Sequence, residues 1–169
     1  VNNIENDKRI IKRWLYFFMA GLFVSGLTAM PVQAEINFLY KWTEDIACIQ
    51  PWMLKLKRGI HTTAVNYPFL FYGYDWLAFA HFVLAVLFIG PLKDPVRNRW
   101  VIEFGMIACL LIIPFALTAG YFRSIPFWWR VVDCSFGITG LVPLGICLKK
   151  IKRLEISETK NRAYENTTF

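Results

Sequence analysis

The chain reads as all-α: an integral membrane, up-down four-helix bundle with an aromatic outer loop lying on the membrane surface. Three observations predict this. Four apolar runs, 14–30, 69–90, 100–122 and 127–148, punctuate its 169 residues, and the last three are 22 or 23 residues long. Roughly 20 residues cross ~30 Å of hydrocarbon at ~1.5 Å rise each. Composition is the second observation: 56% hydrophobic and only 18% charged, which leaves three successive helices without the polar face a soluble fold requires. Third, lysines and arginines gather at the ends of the runs, as they do at the ends of membrane spans.

Residues 1–13 form a basic segment carrying Lys8, Arg9, Lys12 and Arg13. The run 14–30 fits two descriptions. With Val32-Gln33-Ala34 ahead of Glu35 it resembles a cleavable signal, but its 17 residues exceed a signal core of about 7–15 and reach the lower limit of a span. It reads as a retained first span, with Pro31 bending a helix that continues through Ala34. The outer loop 31–68 is rich in rings, among them Phe38, Tyr40, Trp42, Trp52 and Tyr67. Aromatics of this kind settle at the membrane–water boundary. Ile36, Leu39 and Tyr40 recur at helical spacing, which predicts one or two short helices on the outer leaflet.

The connection 91–99, bounded by Pro91 and Pro95, is a short inner turn, and 120–126 is an equally short outer one. Consecutive spans are therefore antiparallel neighbours within a membrane domain covering 14–148. Pro114 and Pro143 fall inside the third and fourth spans and should kink them or free carbonyls for polar neighbours. Residues 149–169 form a tail that starts basic and turns polar, with too little apolar content to pack.

The net charge of +7 is read as topology. If each run crosses once, 13 of the 19 basic residues lie on one side together with both termini. Positive residues are held on the cytoplasmic side during insertion. This predicts a plasma or bacterial inner membrane location with both termini cytoplasmic, and no nucleic-acid partner. A basic patch for anionic lipid headgroups is the secondary reading. Cys48, Cys109, Cys134 and Cys147 contain no CxxC pair, which disfavours a quinone-linked disulfide-exchange enzyme. Histidine spacing gives no metal site. Neither the paired Asn/Asp motifs of lipoprotein signal peptidases nor the lipid phosphotransferase pattern is present.

Ionisable groups inside a span are costly and so are the candidate sites. Glu103 sits one turn from Arg99, an i,i+4 pair at the inner end. Asp133, Gly137, Gly140 and Leu144 form one stripe, on the face where helices approach closely. Arg130 lies one turn above Asp133 and Arg123 in the adjoining loop, which suggests a clamp from Arg130 to Asp133. Asp75 stands as deep in the second span as Asp133 in the fourth. Beside it, Tyr74, Ala78, His81 and Ala85 make a second small-and-polar stripe, expected to face inward with His81 bonded across the bundle. Asp75, His81, Asp133, Arg130, Arg123 and Tyr74 are thus the ligand- or ion-binding candidates, with no catalytic residue assigned. No cofactor is expected. Haem is disfavoured because His61 precedes the second span while His81 lies in its middle.

Three functions fit. The first is a binding or accessory membrane protein with a polar pocket open to the outer leaflet, in contact with lipid and with other subunits or its own copies. The second is a small ion- or proton-coupled transporter. A membrane enzyme acting on lipid headgroups is the third. The order follows from the lack of an inverted repeat and of a nucleophile–base pair.

Overall fold

The computed structural model describes the backbone of residues 2–167 and the side chains of residues 3–159. It is all-helical over these residues. The elements are α1 (Asn2–Ala29), α2 (Val32–Trp42), α3 (Gln50–Asn66), a 3-10 turn (Pro68–Phe71), α4 (Tyr72–Leu87), α5 (Ile89–Lys93), α6 (Arg99–Phe122) and α7 (Phe127–Thr167). Four stretches are long and apolar enough to cross a membrane: Asn3–Ala29, Pro68–Lys93, Arg99–Phe122 and Phe127–Thr159. They contain all four predicted runs except Met30. Much of their apolar surface points outward. Phe115 is 71% exposed, and Phe17, Leu111 and Phe136 are exposed with it. Removing such side chains from water is strongly favoured. The chain divides into two compact units, residues 1–20 with 86–169, and residues 21–85.

In the first unit α6 runs along α7. The stripe predicted on α7 is the face that packs: Gly137 and Leu144 are buried and Gly140 half-buried. Gly137 lies against the Cys109 carbonyl, and Gly140 faces the Cys109 sulfur and the Phe18 ring. Small residues let the two backbones approach this closely. Gly105 of α6 in turn receives the tips of Phe88 and Leu144. At its C-terminal end α6 closes in a Schellman turn. Ile125 N–H donates to Gly120 O (2.9 Å) and Ser124 N–H to Tyr121 O (3.1 Å). Ser124 sits at the left-handed position, φ 55°, where glycine is usual.

The polar tail is the main departure from the sequence reading. Instead of ending near Leu148, α7 continues as one helix of 41 residues, about 60 Å long, twice the hydrocarbon thickness. Leu144, Cys147, Ile151 and Leu154 follow one another at three- and four-residue steps, each no more than 2% exposed. That spacing is the apolar seam of packed helices. α1 meets it with Ile11 and Leu15, both fully buried. The Cys147 thiol lies 3.7 Å from Ile11 O, and Lys150 Nζ donates to Asp7 Oδ1 at 2.6 Å. Arg99 forms the expected pair with Glu103 (2.8 Å) and a second one with Glu155 (3.0 Å) on the helical tail. Below them the 91–99 turn is fastened by Asn98, whose amide donates to Gly90 O and Asp94 O.

This packing bears on the first run. Removing residues 1–34 would take Asp7, Ile11 and Leu15 off α7 and leave its seam bare. Intact-mass measurement of membrane-extracted protein is expected to place the mature N-terminus ahead of Asp7. A mass short by residues 1–34 would instead establish a three-span protein.

The second unit joins the C-terminal part of α1 to α4 and carries a helical hairpin. Gly26 lies under Phe82 and the Ala78 carbonyl, with Ala78 fully buried and Phe23 against Phe82 at 5.1 Å. α2 and α3 supply the short helices expected between the first two spans. They pack through buried Val32, Ile36 and Met53, and Lys57 Nζ stands 4.3 Å over the Tyr40 ring. Thr43 ends α2 by donating its hydroxyl to Leu39 O at 2.8 Å. Proline in the first turn starts α3, where its missing N–H costs nothing. Burial pushes the Glu35 carboxyl above its ordinary range. The hairpin leaves its large rings outside: Trp42 is 78% exposed and stacks on exposed Phe38.

Candidate functional site

At the start of α4, Tyr72, Asp75, Trp76 and Phe79 occupy positions i, i+3, i+4 and i+7 of one helix face. Tyr72 meets Trp76 edge-on at 6.0 Å, and Trp76 meets Phe79 edge-on at 5.7 Å. Tyr72, Asp75, Trp76 and Phe79 line a shallow, wide-open concavity of about 250 Å³ whose wall is almost wholly apolar. Asp75 is exposed in it and lies in the first turn of α4, where the helix dipole favours an anion. The site is thus an apolar face of three rings with an exposed carboxylate-bearing residue beside it.

The stripe beside Asp75 splits. Ala78 and Ala85 are buried and His81 half-buried, as an inward face requires, but Tyr74 is 40% exposed. Tyr74 stands near the start of α4 against Phe71, ring centroids 5.8 Å apart. His81 does not bond across the bundle. Its Nδ1 lies 2.7 Å from Leu77 O of its own helix. A carbonyl only accepts, so Nδ1 is the donor in this contact. One backbone acceptor four residues back removes the need for a partner on another helix.

Arg130, Asp133 and Arg123 lie in the other unit. The clamp expected between Arg130 and Asp133 is absent among the described ion pairs. Arg130 turns toward α6, donating to Leu117 O at 3.2 Å. Its aliphatic stem lies on Gly120, where a Cβ would collide with Cγ and Cδ, and its guanidinium sits 5.4 Å from the Phe127 ring. The bed left by Gly120 draws the side chain away from Asp133. Asp133 is half-buried on the Gly137 stripe, and Arg123 is exposed at the C-terminal end of α6. No group of three or more His, Cys, Asp or Glu able to hold a metal ion occurs among the described residues.

Sequence reasoning does not give Asp75 its ring partners, although Tyr72, Asp75, Trp76 and Phe79 carry a readable helical spacing. Nor does it single out Asp7, Lys150 and Glu155, since their partners lie far away along the chain. Compared with protein-family models, curated proteins and solved structures, the chain shows no significant match.

Proposed function

We propose that the chain is a four-span bundle of a plasma or bacterial inner membrane, with both termini cytoplasmic and the α2–α3 hairpin on the outer leaflet. It acts there as a binding or accessory protein, and its outer groove holds the ammonium group of a lipid headgroup or of a partner subunit. The observation that carries this reading is exposed Asp75 beside the apolar face of Tyr72, Trp76 and Phe79. An ammonium ion gains Coulomb attraction from the carboxylate and about 0.5–1 kcal/mol from each ring face it covers. Asp75 lies about 10 Å along the helix from Pro68, the outer start of the candidate span. At that depth the carboxylate lies just inside the outer edge of the hydrocarbon, where a headgroup ammonium bending inward can meet it. The outward-facing rings of the spans supply the surface for further subunits or copies of the chain. In the other unit Arg130 and Asp133 serve helix packing, the one tied to Leu117 and the other on the close-packed glycine stripe.

The test is lipid retention by the purified protein in native mass spectrometry. Phosphatidylcholine and phosphatidylethanolamine should be retained in wild type, and Asp75→Asn should weaken that retention about tenfold, the equivalent of ~1.4 kcal/mol. Thermal stability of Asp75→Asn should stay within about 0.5 kcal/mol of wild type, because the side chain is exposed. Equal retention by both proteins, or unfolding of the variant, removes the headgroup reading and leaves Asp75 a structural residue.

A further inference from the structure

The basic end of the first unit holds a cavity of about 360 Å³ between the start of α1, the α5 turn and the tail of α7. Its inner wall includes Ile11, Pro91 and Leu154, all three buried. Lys8 and Lys12 of α1, one turn apart, and Lys93 of α5 complete it with ammonium groups. All three lysines are exposed, and none forms an ion pair among the described residues. Lys150 nearby, by contrast, is held by Asp7. Two carboxylates also reach the cavity, Asp94 and Glu158. Asp94 spends one oxygen on the Arg97 N–H at 3.0 Å, and Glu158 is exposed. Three lysines against two carboxylates leave the lining of this partly open cavity with a positive excess.

We propose that this cavity is a binding site for a phosphate-bearing anion, taken either from an anionic lipid headgroup or from a soluble phosphate compound. A phosphate accepts hydrogen bonds from several ammonium groups at once. The apolar wall suits the glycerol and first methylenes of a lipid, and basic pockets between helices on the cytoplasmic side favour anionic headgroups. The Asp75 groove plays no part in this site, which takes a ligand of the opposite charge.

Native mass spectrometry of the full chain in mild detergent tests it, with phosphatidylglycerol, phosphatidylcholine and inorganic phosphate as probes. In an Asp75→Asn background, which weakens retention of zwitterionic lipid at the α4 groove, the protein should retain phosphatidylglycerol over phosphatidylcholine. The triple variant K8Q/K12Q/K93Q in that background should lose about tenfold or more of that retention, each lysine near a headgroup contributing on the order of fivefold. A control in the same background, R9Q/R13Q/K152Q, removes the same charge from exposed residues outside the cavity and should lose less than about twofold. Unchanged melting of both variants shows that folding is intact. If millimolar inorganic phosphate displaces the lipid from the Asp75→Asn protein, the site takes phosphate from solution; if it does not, the site is a lipid site. Equal losses in the two variants, or no preference for phosphatidylglycerol, overturn the proposal, because the lysines then act only as part of a general positive surface.

Discussion

Replacing Gly137 by leucine should prevent stable association of α6 with α7, at a cost of about 3 kcal/mol or more. The new side chain would begin against the Cys109 carbonyl oxygen, with Ile112 Cβ also at 3.4 Å. A backbone carbonyl inside a helix has no rotamer through which to yield, so the helices themselves must separate. Gly145 on the same helix has open space around it, with nothing within 4 Å of the point where a Cβ would stand. Gly145→Ala should therefore be neutral or stabilise by up to about 1 kcal/mol through helix propensity. Melting followed by size-exclusion chromatography in detergent separates the two. A Gly137→Leu protein as stable as Gly145→Ala would show that α6 and α7 do not pack on this stripe.

The second large effect belongs to the inner end of α7. The Asp7 and Lys150 side chains are only 12% and 19% exposed, so removing one charge leaves the other poorly solvated. Lys150→Met and Asp7→Leu should each cost about 3 kcal/mol, and the double variant should recover much of the loss. Ile151→Ala, one residue along the same seam, should cost about 2–4 kcal/mol by leaving a cavity. Thermal melts of the four proteins of the charge cycle give the coupling directly. Strictly additive losses would mean that the tail of α7 is not held against α1.

The spans were legible because a continuous apolar run needs no knowledge of partners. Residues 69–90 and 100–122 announce a hydrophobic helix by length alone, and the outer helices declare themselves through Ile36, Leu39 and Tyr40. The glycine stripe on α7 was legible for the same local reason. The packed tail was hidden because Ile151 and Leu154 are interrupted by Lys149, Lys150, Lys152 and Arg153. Only the continuation of the Leu144–Cys147 spacing betrays the seam, and Asp7 lies 143 residues away from its partner. Side-chain direction was the other gap. Arg130 had one partner within reach of sequence reasoning, Asp133 one turn along the same helix. Its direction was set by Gly120, a residue whose importance lies in the space it leaves. His81 likewise found its acceptor in its own backbone, which no side-chain pattern records.

Both proposed sites rest on one arrangement, four crossings with the α2–α3 hairpin outside and the basic helix ends inside. The cysteines of the chain allow a direct measurement of it. Cys48 is exposed between α2 and α3, whereas Cys109, Cys134 and Cys147 are buried in the spans. An impermeant maleimide applied to intact cells or protoplasts should label the wild-type protein at Cys48. With Cys48→Ser and a cysteine placed at exposed Arg97, labelling should appear only after the membrane is opened. Labelling of the position-97 cysteine on intact cells, with Cys48 protected, would contradict the four-span orientation and both sites built on it.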